Sequence, residues 1–121
     1  MDLEDLIGPL PAPLGRWMLR RLVAAGVRYG REFGVLLVRG ADPDVLGGVL
    51  RGADIFANWD DGDLLALLPD TDRGGAQRVA DRVREATGAG VGAAHWGGDL
   101  AEDLLERALR ALAADAAQAS A

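Results

Sequence analysis

The segment that most constrains the fold is residues 51–71, in which two apolar runs flank a short acidic turn. The runs cover 53–58 and 63–68, and the turn between them is Asp60-Asp61-Gly62. Asp-Gly is a common signal for a tight hairpin, because glycine tolerates the positive φ that such turns require. Thr71, followed by an acidic residue, is typical of a helix N-cap. The segment therefore predicts a strand, a tight turn, a second strand and the beginning of a helix.

The other elements follow from hydrophobic periodicity. Helical spacing predicts long helices at 13–29, 72–86 and 99–117 and a short helix at 45–50, while apolar runs predict strands at 33–38 and 89–95. The first helix is expected to bury Leu14, Trp17, Met18, Leu22 and Ala25. The last is expected to bury Leu100, Leu104, Leu105, Ala108, Leu109 and Leu112. Residues 1–13 are predicted to form an irregular lead-in, and residues 118–121 a frayed tail.

The order of these elements is α, β, short α, β, β, α, β, α. Its middle part is the βαββαβ pattern of ferredoxin-like folds. We therefore predict an α+β fold in which an antiparallel sheet carries flanking helices on one face and has its other face partly covered. With 121 residues and no evident linker, the chain 1–121 is predicted to form a single domain.

Composition excludes several classes of function. There is no cysteine and no lysine, and the only serine, Ser120, is next to the C-terminus, so thiolate, Schiff-base and serine-nucleophile chemistry have almost no basis. The net charge of −6 argues against non-specific nucleic-acid binding, which usually needs a basic excess. No apolar run approaches the ~20 residues that cross a bilayer, and the acidic N-terminus lacks the basic start of a signal peptide. We expect a soluble cytoplasmic protein with no membrane or nucleic-acid partner.

Several motifs, taken in order, resemble the GGDEF family of bacterial diguanylate cyclases. The family's signature turn, Gly-Gly-Asp/Glu-Glu-Phe, corresponds to Asp60-Asp61-Gly62-Asp63-Leu64. Further similarities cover nearly the whole chain; they are residues 5–11 (opening motif), 33–38 (first core strand), 67–71 (the segment after the hairpin), 89–94 with Gly92 in place, and 104–108 (closing helix). The resemblance implies the ferredoxin-like fold and a role in cyclic di-GMP signalling.

The departures from the family pattern predict that the chain is not a cyclase. Cyclases hold two magnesium ions with carboxylates from the end of the first strand and from the signature turn. The first of these positions falls at Arg39, whose charge would repel magnesium. Asp60 and Asp61 replace the two glycines that let the backbone approach phosphate, which leaves Asp63 as a lone carboxylate. The guanine-reading segment that follows the first strand in the family is much shorter here. We therefore expect no metal site, no magnesium cofactor and no catalytic residues.

The family's inhibitory product site has a clearer counterpart. Its Arg-x-x-Asp core, five residues before the signature turn, corresponds to Arg51-Gly52-Ala53-Asp54. A further arginine on the following helix corresponds to Arg82, and Arg78 lies one turn earlier on the same face. An arginine fork can bind a guanine edge or a phosphate bidentately, and an aspartate can accept guanine N–H groups. The resemblance thus implies an inactive receptor that binds cyclic di-GMP through these residues.

The alternatives differ in function class. Arg51 and Asp54 could be a surface ion pair, with Arg78 and Arg82 paired to Asp81 and Glu85 on a solvated helix face. The domain would then be a scaffold that docks a protein partner or a second copy of itself. A third alternative is an active cyclase of unusual design.

Three further features have simpler interpretations. The acidic turn could bind calcium or magnesium weakly, although it lacks the ligand number of a calcium loop. We expect His95, at a strand end, to be satisfied or half-exposed rather than a metal ligand. Trp17 is assigned to the core or an interface, and Trp59 is expected to pack beside the hairpin turn.

Overall fold

The computed structural model describes residues 9–119. The elements are α1 (Ala12–Tyr29), β1 (Phe33–Arg39), α2 (Pro43–Val49), β2 (Ile55–Asn58), β3 (Leu64–Pro69), α3 (Arg73–Thr87), β4 (Gly90–His95) and α4 (Ala101–Ala119). All of these elements were predicted, with shifts of one or two residues at most of their ends. The helix α4 extends to Ala119, into the segment predicted to fray, and residues 1–8 and 120–121 lie outside the described part.

The four strands form one sheet in the order β2-β3-β1-β4, and all neighbouring strands are antiparallel. This confirms the α+β, ferredoxin-like prediction. Alternate residues of β1 point to opposite faces. Val35 and Leu37 pack with α1 and α4, whereas Leu36 and Val38 pack with α2 and α3. The expectation that one face would be only partly covered is therefore wrong, because two helices cover each face.

The first helix contacts the sheet through Leu19 and two glycines, and not through Leu14 or Trp17. Leu19 is buried, together with Gly15 and Gly26, whereas Leu14 is 40% and Trp17 54% exposed. A side chain at Gly15 would lie 2.6 Å from the Cβ of Ala57, and one at Gly26 would lie 2.6 Å from the ring of Trp96. The predicted inward position of Leu14 is therefore wrong, and Trp17, which was assigned to the core or an interface, is not in the core, since the glycines allow close approach on a different face of the helix.

The last helix packs as predicted at its centre and differs at its edges. Leu104, Ala108 and Leu112 are fully buried, whereas Leu100 is 68% and Leu109 50% exposed. Leu100 precedes the first residue of α4, so it does not share the helix's buried stripe. The prediction that Leu100 and Leu109 point inward is wrong.

Both edges of the sheet are closed by groups that bond to its backbone. At the β2 edge, the Leu10 N–H donates to Phe56 O (3.0 Å), and the Asn58 N–H donates to Leu10 O (2.8 Å). At the β4 edge, the Val91 N–H donates to Asp115 (2.8 Å) and Val91 O accepts from Arg84 (3.0 Å). The end of the predicted irregular lead-in is therefore paired with the sheet.

No helix within residues 9–119 combines the length and the apolar character needed to cross a bilayer.

Candidate functional site

The hairpin turn has the geometry that its Asp-Gly dipeptide predicts. Asp61 and Gly62 both have positive φ, 59° and 81°, as in the type I′ turns favoured in hairpins. The turn is closed by the Asp63 N–H, which donates to Asp60 O (3.1 Å), and by the Trp59 N–H, which donates to Asp63 O (2.8 Å). The turn presents Asp60 and Asp61 to solvent, whereas Leu64, at the start of β3, is buried in the core.

Trp59 packs beside this turn, as expected, and supports an arginine from α1. The guanidinium carbon of Arg16 lies 4.2 Å from the centroid of the Trp59 ring, within the range of a cation–π contact. Arg16 also donates to Asp60 (3.0 Å). One carboxylate of the turn is therefore already paired.

A bidentate ion pair joins the end of β1 to the end of the turn. Arg39 Nε donates to Asp63 Oδ1 and Arg39 Nη2 donates to Asp63 Oδ2, both at 2.9 Å. Asp63 is only 4% exposed, whereas the Arg39 side chain is half-exposed. The hydrogen bonds and the charge of Asp63 raise the pKa of Arg39 above its ordinary value. A bidentate fork of this kind occupies both oxygens of the carboxylate and holds them in one plane.

This pair joins the two positions at which the family resemblance places metal-binding carboxylates. The guanidinium of Arg39 lies where a cation would have to sit to reach Asp63. Within residues 9–119, no three His, Cys, Asp or Glu side chains lie together in an arrangement that could hold a metal ion. The positive charge that pairs with Asp63 is therefore the guanidinium of Arg39.

A second charged region lies along α3 on the opposite face of the sheet from α1 and α4. A groove of about 580 Å³ brings together three of the predicted ligand-binding residues, Arg51, Arg78 and Arg82. Its other charged lining residues are Asp70, Asp72, Asp81 and Glu85. The groove therefore mixes three cations with four carboxylates, and its chemistry depends on which of these charges are already paired.

Asp54, the fourth predicted residue, is not among the residues that line the groove. The Asp54 N–H donates to Arg51 O (2.9 Å), and the Arg51 N–H donates to Asp54 Oδ2 (3.0 Å), so residues 51–54 form a closed turn. The Asp54 side chain is fully buried, and its Oδ1 has no hydrogen-bond partner within the described residues. Asp54 Oδ2 also lies 3.5 Å from Arg51 Nε, so the ion pair of the alternative interpretation is present, while Oδ1 is an acceptor without a partner in residues 9–119.

The Arg51 side chain is held at the groove by a residue that sequence reasoning assigned differently. Its Nη2 donates to Thr71 Oγ1 (3.1 Å), and the Thr71 hydroxyl donates to Pro69 O (2.9 Å). Thr71 was predicted to cap α3, but the cap is Asp72, which accepts from the Gly75 N–H (2.6 Å). The buried Thr71 hydroxyl instead connects β3 to Arg51, a role that only the folded chain reveals.

Arg78 and Arg82 are the two arginines of α3 that line the groove; of the other two, Arg84 is paired with Asp81 and Asp115, whereas Arg73 has no ion pair within residues 9–119 but lies outside the groove. Neither Arg78 nor Arg82 forms an ion pair or hydrogen bond with another residue in the range 9–119, although both line the groove. Asp81, their expected partner in the alternative interpretation, binds Arg84 (2.8 Å) and Gln77 (3.1 Å). The ion-paired helix face proposed as the alternative is therefore absent around these two arginines.

His95 is partly buried at the end of β4, in keeping with the sequence expectation. Its Nε2 lies 3.5 Å from Glu32 Oε1, close enough for an ion pair if the ring is protonated. Its backbone oxygen accepts from Arg107 (2.8 Å).

Comparisons with known proteins place this geometry in a structural context. No protein-family model and no curated protein sequence matches the chain. Solved structures do match. The diguanylate cyclase SiaD from Pseudomonas aeruginosa, solved with its activator SiaC, has a TM-score of 0.80 at 19% identity, over 89% of this chain and 55% of the SiaD chain. This chain thus spans about half the length of that neighbour.

Two matches are to isolated GGDEF domains. The GGDEF domain of YfiN from Pseudomonas aeruginosa has a TM-score of 0.79 at 18% identity, over 93% of this chain and 92% of that one. The GGDEF domain of DgcB from Caulobacter crescentus, solved in complex with c-di-GMP, has a TM-score of 0.78 at 14% identity, over 93% and 88%. From the sheet order and these neighbours together, the chain has the fold of a GGDEF domain.

Proposed function

We propose that this chain is a catalytically inactive GGDEF-like signalling domain that binds cyclic di-GMP in the groove along α3. The observation that carries the proposal is that Arg78 and Arg82 face the same groove as Arg51 and are not paired with any other residue in 9–119. An arginine without a partner keeps its hydrogen-bond donors available for a ligand, and its planar fork fits phosphate oxygens or a guanine edge.

The size of the groove is compatible with a ligand of this class. Its volume of about 580 Å³ falls inside the range of roughly 300–1,000 Å³ that is usual for small-molecule sites. Its carboxylates work against an anionic ligand, since like charges repel. Affinity must therefore come from directed contacts by the arginines and not from a general positive field.

Asp54 supplies a buried, unpartnered acceptor for a guanine. Its unpartnered Oδ1 can accept from guanine N–H groups, and a buried carboxylate oxygen without a partner is costly. Because the Asp54 side chain is fully buried and its other oxygen is paired with Arg51, which also donates to Thr71, a guanine can reach Oδ1 only if Arg51 moves. The site is thus proposed to open when the ligand enters.

Inactivity is supported by the Arg39–Asp63 pair. Magnesium binding at Asp63 would require both the displacement of a bidentate arginine and the approach of a dication to its guanidinium. Incubation of the protein with GTP and magnesium, followed by chromatography of the nucleotides, tests this part. We expect GTP to be recovered unchanged, and formation of cyclic di-GMP would overturn the assignment as inactive.

Isothermal titration with cyclic di-GMP tests the binding site. We expect saturable heat with the native protein and a clear loss of affinity in Arg82→Ala. The matched control is Arg110→Ala, which removes an exposed arginine of α4 on the other face of the sheet. Absence of heat at high micromolar ligand, or equal affinity in Arg82→Ala, would contradict the proposed site.

A further inference from the structure

The outer edge of β4 has a gap between the groups that close it. Alternate residues of an antiparallel edge strand direct their N–H and C=O away from the neighbouring strand, and in β4 these residues are Val91, Ala93 and His95. Side chains bond to Val91, and Arg107 donates to His95 O (2.8 Å). Between them, the outward N–H and C=O of Ala93 have no partner within residues 9–119. The edge therefore offers one free backbone donor and one free acceptor at Ala93.

A cavity of about 210 Å³ lies at this gap. Its lining includes Ala93 and His95 of β4, Arg73 and Gln77 of α3, and Arg107 of α4. Among the described residues, no carboxylate belongs to this lining, whereas four carboxylates line the groove along α3. The cavity is therefore surrounded by cationic side chains and a backbone N–H that come from three different elements.

Several of the nitrogen atoms around the cavity are unused. Arg73 forms no ion pair or hydrogen bond within residues 9–119. Arg107 uses Nη2 for both of its bonds, to His95 O and to Asp99 Oδ1 (2.8 Å each), while its buried Nε has no partner in the same range. The buried Nε2 of His95 has no hydrogen bond there either, although Glu32 Oε1 lies 3.5 Å away. Buried polar groups without a partner are uncommon, and two of them beside one cavity point to a polar occupant.

We propose that this cavity binds free phosphate. Donors on three sides suit a tetrahedral oxyanion, whereas a planar carboxylate is satisfied by a single guanidinium fork. The free C=O of Ala93 adds an acceptor, so the favoured oxyanion is one that still carries a proton. At about pH 7.5 free phosphate keeps a proton, sulfate has none, and a phosphomonoester, with a second pKa of about 6, has largely lost its own.

Size and charge set the expected affinity. The cavity is smaller than the roughly 300–1,000 Å³ of usual small-molecule sites, which suits an ion better than a nucleotide. Asp99 and Glu32 lie next to Arg107 and His95 and weaken the attraction for an anion. We therefore expect a dissociation constant of about 1 mM.

This site is separate from the groove proposed to bind cyclic di-GMP. Arg73 and Gln77 are four residues apart and share one side of α3, whereas Arg78 and Arg82 share another side, which lines the groove. The two proposals can therefore fail independently.

A ¹H–¹⁵N NMR titration of the full chain with sodium phosphate at about pH 7.5, compared with sodium chloride at equal ionic strength, tests the proposal. We expect saturable shifts of the Ala93 amide signal and of the Nε–H signals of Arg73 and Arg107. Arg73→Glu should weaken binding about tenfold, because it replaces a free cation with a carboxylate. The fold should persist, since an acidic residue in the first turn of α3 suits the helix dipole. Arg20→Glu, which reverses an exposed and unpaired arginine of α1, is the matched control and should leave the affinity unchanged.

Titrations with sodium sulfate and glycerol phosphate identify the oxyanion. Both should bind about threefold more weakly than free phosphate, because neither brings a proton to Ala93 O. Phosphate-induced shifts confined to Arg78 and Arg82, or unchanged affinity in Arg73→Glu, would overturn the site. Sulfate or glycerol phosphate that binds as tightly as phosphate would overturn the assignment to free phosphate. The amide spectrum of each variant reports its folding, and Arg73→Glu should still bind cyclic di-GMP if the groove does.

Discussion

The two charged regions of this domain contain similar residues and use them differently. At the hairpin end, Arg39 and Asp63 satisfy each other through two hydrogen bonds of 2.9 Å, and Arg16 binds Asp60. Along α3, Arg78 and Arg82 line a groove without a partner in residues 9–119, and a buried Asp54 oxygen is also unused. At the hairpin end these four charged side chains are paired with one another. In the groove region, by contrast, two arginines and one Asp54 oxygen have no partner within residues 9–119.

The comparison indicates that availability, more than the number of charges, separates a binding region from a structural one. A carboxylate that already accepts a bidentate arginine gains little from a further cation, because the competitor must first replace that arginine. An unpaired arginine on a helix loses only its solvation when it binds an anion. Asp63 at the hairpin end is thus less available to a ligand than the unpaired arginines of the groove, although both regions have arginine and aspartate.

The largest effect is expected from breaking the closed pair. Arg39→Met leaves the buried Asp63 carboxylate without its partner, and the free energy of unfolding should fall by about 2 kcal/mol. This figure is below the 3–5 kcal/mol typical of fully buried pairs because Arg39 is half-exposed. Urea denaturation measures the change. Adding Asp63→Asn should recover about half of the loss, since a neutral amide no longer buries a charge.

Unchanged stability in Arg39→Met would mean that the pair contributes nothing, and the contrast between the two regions would lose its energetic basis.

The charge pair at the β4 edge provides a second test, with an expected loss of about 1 kcal/mol in the free energy of unfolding. Asp115 accepts from the Val91 N–H and from Arg84, and these contacts, led by the backbone hydrogen bond, hold its pKa below the ordinary value. Asp115→Ala should lower the free energy of unfolding at pH 7 by about 1 kcal/mol. The side chain has no such stabilising effect once it is protonated.

The sign of the pH dependence follows from the lowered pKa. A carboxylate with a lower pKa in the folded than in the unfolded state stabilises the protein above the unfolded pKa of about 3.9, and this contribution is lost as the pH falls through the folded pKa. The stability difference between the native protein and Asp115→Ala should therefore shrink between pH 5 and the acid limit of folding. An equal difference at pH 7 and pH 3 would show that the charge of Asp115 plays no part.

In the groove along α3 the expected change is a gain in ligand affinity, and it is smaller than the losses of stability described above. Glu85 lines the groove, and Glu85→Gln removes a charge that repels an anionic ligand. If the groove binds cyclic di-GMP, affinity should rise about two- to fivefold, as expected for a partly screened charge interaction of ~0.4–1 kcal/mol. Titration calorimetry measures the change, with Glu106→Gln on α4 as the control. Weaker binding would mean that Glu85 contacts the ligand as an acceptor.

Local signals in the sequence predicted most of the fold. The Asp-Gly dipeptide specified the turn, and the alternation of periodicities specified the order of the elements. Helix burial was harder to predict because α1 approaches the sheet through Gly15 and Gly26, and hydrophobicity scales give little weight to glycine. Contact between backbone and sheet replaced the expected burial of Leu14 and Trp17, which are left exposed.

The candidate site was predictable in its residue types but not in its pairing. The family resemblance assigned Arg51, Arg78 and Arg82 to one site, whereas the hydrogen bond from Arg51 to Thr71 depends on how β3 enters α3. The burial of Asp54 depends on the closed turn at 51–54. Such contacts join residues far apart in sequence, and only the assembled sheet determines them.

The smallest expected effect comes from reopening the hairpin end. Arg39→Asp replaces the internal cation with a second carboxylate beside Asp63, so the variant should be less stable than the native protein and should gain a weak affinity for divalent cations. Magnesium at one to five times its dissociation constant would then restore ~0.4–1 kcal/mol, measured as a rise in melting temperature against potassium at equal ionic strength. Arg39→Asn, which removes the cation without adding a carboxylate, is the matched control. A comparable magnesium response in the native protein would mean that Arg39 does not exclude the metal. The hairpin end would then be able to bind a cation, as the groove is proposed to bind an anion.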